Sequence, residues 1–264
     1  MLGLRPPDAA PGREGMSGAM ETRVDEIGAR IYRLSTFLPA VGPAGLTFNQ
    51  FLIDADEPLL FHCGQRALYP AVSAAVARVT DHARLRWIAF SHVEADECGA
   101  LNQWLAAAPA STVTHGAIGC AIWLNDQAPR PPRALADDEV LDIGGRRVRR
   151  LDTPHVPHCW DAGLLFEETT GTLFCSDLFT HAGDPAPLTE GDITEPAIQA
   201  ERRFGFTPVT AGTGATLRRL AALQPRTIAV MHGSSFAGDG AAQLERLAAF
   251  YDERLAGGAA TARG

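Results

Sequence analysis

The chain has 264 residues, 46% of them hydrophobic, enough for one large domain with a substantial core. Its 31 acidic and 23 basic residues give a net charge of −8, which argues against nucleic acid or an anionic membrane face as a partner. No apolar run approaches the roughly 18 residues that span a bilayer, so a soluble, cytoplasmic protein is expected; the five cysteines lack a C-x-x-C pair and fit a reducing compartment.

Residues 1–20 are rich in Pro, Gly and Ala and lack the charged lead and apolar core of a secretion signal. They read as a flexible leader ahead of an internal start at Met16 or Met20, leaving residues 21–264 as a single domain. Short apolar segments at 30–34, 46–54 and 58–62 predict adjacent antiparallel strands. Helical spacing follows over 69–79, then a buried strand over 85–90 that ends at Ser91-His92, then a helix over 99–108 stopped by Pro109.

The second half repeats that order, with a strand at 112–115, a short helix at 117–124 and a proline-rich loop over 127–133. Strands are expected near 140–141 and over 147–151, 162–168 and 172–176, a helix over 213–223, a strand over 227–231 and a closing amphipathic helix over 241–255. Strands leading each half with helices behind them imply two sheets packed face to face and helices outside, an α/β layered arrangement.

His92-Val93-Glu94-Ala95-Asp96-Glu97 places four ligand types in six residues, directly after a buried strand and before a helix. Alternate positions of such a loop point the same way, so His92 and Glu94 can share one ion while Asp96 and Glu97 turn to another. Taken alone, the segment could equally be an acidic turn capping a helix. Three further strand ends shift the balance: His158 after 147–151, Asp177 after 172–176, and His232 after 227–231.

With these segments in view, the chain resembles the metallo-β-lactamase superfamily, and within it the diiron domain of flavodiiron and related oxygen-binding diiron proteins. The resemblance runs from about Ile31 to Phe236 and rests on three segments. They are His92-Val93-Glu94-Ala95-Asp96-Glu97-Cys98-Gly99, the opening strand from Gly45 through Asn49 to Ile53, and the closing Met231-His232-Gly233. The resemblance implies a four-layer αββα sandwich and two iron ions. His92, Glu94 and His158 would hold one, Asp96 and His232 the other, with Asp177 as the bridge. His158 is preferred to His155 because it stands 19 residues before Asp177, a distance typical of the family.

Glu97 departs from the family pattern, which has histidine there; it either adds a carboxylate ligand or turns away and leaves a position open. His181, in the loop after Asp177, reads equally as a pocket-lining proton donor or as a solvent-exposed loop histidine; with Glu97 it is a candidate for the catalytic chemistry. Oxygen-rich ligation suits iron or manganese better than zinc, which favours His and Cys. The implied activity is binding or reduction of a small oxidant: dioxygen, nitric oxide or peroxide. The chain ends about thirty residues after His232, without the flavodoxin-like domain of full flavodiiron proteins, so turnover would call on a separate electron-donor protein. A homodimer is also a family expectation. The rival reading is a hydrolase whose metal-bound hydroxide attacks an ester, thioester or phosphodiester.

Overall fold

The computed structural model describes residues 20–261, with side chains through Gly257, so the expected leader falls almost wholly outside the described residues. Strands β1 (Thr22–Gly28), β2 (Ile31–Leu38), β3 (Leu46–Ile53) and β4 (Leu59–Phe61) form an antiparallel run. Helix α1 (Tyr69–Val76) then leads to β5 (Trp87–Ala89), and α2 (Ala95–Cys98) and α3 (Leu101–Ala107) lead to β6 (Thr112–Gly116). A helical stretch, α4 (Ala117–Gly119), a π-turn and α5 (Asn125–Gln127), precedes β7 (Arg133–Leu135). These seven strands lie side by side in chain order, with β4 to β7 parallel.

The second sheet takes β8 (Val140–Asp142), β9 (Arg147–Asp152), β10 (Gly163–Glu167), β11 (Thr172–Phe174) and β12 (Leu188–Thr189). Helices α6 (Thr194–Phe204) and α7 (Thr213–Ala221) follow, then β13 (Thr227–Ala229), β14 (Ser235–Ala237) and the closing helix α8 (Gly240–Thr261). Its spatial order is β12-β14-β13-β11-β10-β9-β8.

Three apolar clusters define four layers. One packs α1 and α3 on the first sheet through Leu52, Val72, Trp104 and Leu105. A second fills the seam between sheets with Ile31, Phe51, Phe61, Phe174 and Ala229. The third seats α7 and α8 on the second sheet through Leu217, Leu220, Leu244 and Leu247. Strand β3 shows how the pleat divides this work: Phe48 and Leu52 point to the helices, Phe51 and Ile53 to the other sheet. Strands β4, β5 and β13 are buried throughout, as expected of strands covered on both faces. This is the αββα sandwich.

The structure adds β1, β7, β12, β14, the short helix α2 and helix α6 to the expected elements. Helix α6 escapes a periodicity reading because its buried face is Thr194, Ala197, Ile198 and Glu201, with only one large apolar side chain. Among the described residues, no helix is long and apolar enough to cross a membrane.

Strand direction positions the site. Strand β11 runs parallel to β13, and β9 runs with β11 because both are antiparallel to β10. The carboxyl ends of β9, β11 and β13 therefore open on one rim, where the loop after β5 of the first sheet meets them.

Candidate metal centre

Chain leaves the buried strand β5 through Phe90 and Ser91, both fully buried, into His92, itself fully buried, so the histidine has no freedom to swing to solvent. Its Nε2 lies 3.1 Å from Glu94 Oε2 and 3.5 Å from Asp177 Oδ2. Nε2 of His158 lies 2.9 and 3.5 Å from the same two oxygens. One donor atom from each of these four side chains falls within 4.8 Å of the others, which is the compass of a single cation. Across Asp177, its Oδ1 is 3.1 Å from His232 Nε2, which is 3.4 Å from Asp96 Oδ2. One carboxylate thus faces two groups of ligand types. His155, the alternative to His158, is exposed and is not among the clustered ligand types.

The turn that carries His232 is tied to the opposite end of the chain. His232 Nδ1 donates to the Thr47 carbonyl at 2.7 Å, which directs Nε2 toward Asp177. The Gly233 carbonyl accepts from Asn49 Nδ2 at 3.0 Å and from the buried Arg33 Nη2 at 3.1 Å. Gly233 has φ +119°, and a Cβ there would meet the His181 ring at 2.3 Å, so no other residue fits. This accounts physically for the His-Gly pair noted in the sequence.

Electrostatics at the rim show what the ligand set favours. Burial alone would lower the His92 pKa, but the nearby carboxylates, Glu97 first, raise it to about 10. His232 is raised to about 10 against its burial by Asp177 and Asp96. Hydrogen bonds from His158 and His92 hold Glu94 down to about 2. Protons on the imidazoles therefore stand where cations would, and a cation must displace them. Between pH 6.5 and about 9, each bound cation should release about one proton and bind about tenfold more tightly per pH unit rise; calorimetry in two buffers of different ionisation enthalpy counts the protons. The metal-free chain should show the opposite slope. A histidine raised to about 10 stabilises the fold fully below its unfolded value of about 6.5 and loses that contribution as pH climbs through 10.

Glu97 and His181, whose roles the sequence left open, take these places. Glu97 is fully buried and faces away from the pocket, accepting hydrogen bonds from Ser91 N at 2.6 Å and His92 N at 3.2 Å. Three carboxylates rather than four thus join three imidazoles at the pocket. His181 lines an apolar cavity beside the pocket, with both ring nitrogens occupied. Its Nδ1 donates to the Phe179 carbonyl at 2.8 Å and its Nε2 accepts from Ser234 N at 2.9 Å, so both nitrogens are engaged in one neutral tautomer, with burial lowering its pKa. The ring acts as a post beneath the His232-Gly233 turn. Cys159 Sγ lies within 4.8 Å of His92 and His158, but burial pushes its thiol up to about 11, which disfavours the ligating thiolate.

Sequence reasoning passed over the groups behind the ligands: His62, Ser91 and Ser176. Ser91 Oγ sits 3.1 Å from His92 Nδ1, and Ser176 Oγ donates to Glu97. A serine immediately before each of two ligands was the available signal. The pocket itself is about 140 Å³, lined by every ligand candidate except the buried His92, together with Thr180 and Phe206. Both of these residues also line an adjoining, mainly apolar cavity of about 680 Å³.

Fold and rim together define a metallo-β-lactamase-type sandwich with a carboxylate-rich candidate metal site. Residues 46–233 match the model of the ODP family beta lactamase, and the chain belongs to that family. It is 27% identical over 197 residues to diflavin flavoprotein A 1 of Nostoc sp., covering 72% of this chain and 33% of that protein. The chain thus spans about a third of the length of that relative. It is 31% identical over 159 residues to hydroxyacylglutathione hydrolase of Acidiphilium cryptum, covering 56% of this chain and 62% of the other. Among solved structures, rubredoxin oxygen:oxidoreductase from Desulfovibrio gigas superposes with a TM-score of 0.74 at 17% identity, over 88% of this chain and 61% of that one. The Flv1 flavodiiron core from Synechocystis sp. gives 0.73 at 21% identity, over 88% and 61%. At these identities the superpositions establish the fold.

Proposed function

We propose that the chain is a non-heme diiron protein that binds or reduces a small oxidant, namely dioxygen, nitric oxide or peroxide, with electrons from a separate donor protein. The observation that carries this reading is Glu94, whose Oε2 lies 3.1 Å from one ligand imidazole and 2.9 Å from another. Hydrolases of the superfamily usually present histidine there. Three carboxylates beside three imidazoles fit iron or manganese better than zinc, and their three negative charges offset most of the charge of two divalent ions. A pair of reduced iron ions bound there would supply the electrons that such an oxidant takes up.

The chain's own residues serve that chemistry in distinct ways. His92, His158 and Glu94 would hold the first ion, Asp96 and His232 the second, and Asp177 would join them. Phe206 stands edge-on to His158 at 6.4 Å between ring centroids and gives the pocket an apolar side. The adjoining apolar cavity offers dioxygen and nitric oxide, themselves apolar, a low-polarity approach. The names of the similar proteins, a diflavin flavoprotein and an oxygen oxidoreductase, support the same direction.

A metal-dependent hydrolase acting on an ester, thioester or phosphodiester is the second reading, favoured by the 31% identity to a hydroxyacylglutathione hydrolase. Metal analysis of protein purified without added metal separates the two. The first reading expects two irons per chain, a near-ultraviolet charge-transfer absorption lost on anaerobic reduction, and oxidant consumption once a reductant is supplied. Two zinc ions with esterase or phosphodiesterase turnover would replace it with the second. Sedimentation of the same sample tests the expected homodimer.

A further inference from the structure

Where the family carries an imidazole after the aspartate of its first motif, this chain carries Glu97, and the surroundings of that carboxylate are unusual. It is fully buried and caps the backbone amides of Ser91 and His92 through Oε2, at 2.6 and 3.2 Å. Oε1 accepts from Ser176 Oγ and lies 3.4 Å from His62 Nε2 and 3.5 Å from His92 Nδ1. Its main-chain carbonyl accepts from Cys63 N at 2.6 Å. One residue therefore gathers the ends of β4, β5 and β11, and the latter two carry His92 and Asp177. His62 and Ser176, at φ 67° and 52°, hold the left-handed conformation that non-glycine residues rarely adopt. Such turns persist where surrounding contacts over-determine them, and Glu97 touches both.

Resting on the two-cation reading of the rim, we infer that Glu97 is a positioning residue withdrawn from the ligand shell, and that its withdrawal leaves the two cation positions unequal. His92, Glu94, His158 and Asp177 give the first position four donors. Asp96, Asp177 and His232 face the second, which is one short. To serve as a ligand, Glu97 would have to leave two backbone amides and the Ser176 hydroxyl unpaired in the interior.

Anaerobic calorimetric titration of the metal-free chain with Fe2+ alone tests this. Wild type should bind two ions in two resolved steps, the second weaker. Glu97→Gln keeps the shape but cannot accept from all these donors, and should weaken both steps by about 10- to 100-fold, the range for partners that orient ligands. Both weaken because Glu97 sets His92 for the first position and Asp177 for the two together. A ligand role predicts loss confined to the second step, and that result, or two unchanged steps, overturns the inference. Circular dichroism reports whether Glu97→Gln folds. If it does not, Ser176→Ala decides: it removes only the hydroxyl and should weaken both steps by about tenfold, whereas unchanged steps overturn the inference. Wild-type uptake of fewer than two ions sinks the two-cation reading itself, a failure distinct from any behaviour of the variants.

Discussion

Asp177→Asn should empty the site. The variant, purified and reloaded with Fe2+, is expected to retain well under one ion per chain where wild type retains two, with affinity at both positions reduced by more than about 100-fold, beyond the loss seen when only an outer partner is removed. The reason is the dual orientation of one side chain. Oδ2 faces His92 and His158 at 3.5 Å each, and Oδ1 faces His232 at 3.1 Å. An amide of the same shape keeps one neutral oxygen and turns two N–H bonds toward the other side, so one position loses its ligand and both lose a negative charge. The metal-free variant should also titrate differently. Asp177 is a principal cause of the high His232 pKa, so that imidazole should fall toward its ordinary range, visible by NMR as a lower titration midpoint. Two tightly held ions in Asp177→Asn would mean that Asp177 is no bridge.

Trp104→Ala should cost the fold about 3–5 kcal/mol, the range for removing a large buried aromatic side chain. Trp104 is fully buried on α3, edge-on to Tyr69 at 5.0 Å and His82 at 5.7 Å. Its Nε1 donates to the Cys63 carbonyl at 2.9 Å, so truncation leaves both a cavity and an unpaired acceptor. Trp104→Phe restores most of the packing without the donor and should recover all but about 1 kcal/mol. Urea melts of both variants give the two numbers directly. A loss near 1 kcal/mol for Trp104→Ala would show that α3 collapses onto the gap.

His92, Asp177 and His232 drew notice because each follows a short apolar run that reads as a buried strand, and a strand end is a fixed point. Spacing alone could not tell which way the side chain at 97 would turn. That direction is decided by Ser176, 79 residues later, and by the amides of Ser91 and His92, none of which alters the local pattern around Glu97. The surroundings of His181 were hidden for the same reason: Ser234 and Phe179 occupy its nitrogens, and Ser234 lies 53 residues away. His62 was given no role because it lies away from the motif segments in the sequence. Helix α6 and the short strands β12 and β14 lacked the stripe or length that periodicity requires, their places being set by the sheet and the helix they cover.

His232 leans on the Thr47 carbonyl, so the turn that completes the site is propped by residues 185 positions earlier in the chain. During synthesis, His92 and Asp177 would leave the ribosome well before β13 exists, and the half-made rim would lack both its last imidazole and the prop that aims it. Any cation that needs His232 would therefore have to wait until the turn after β13 has docked on β3.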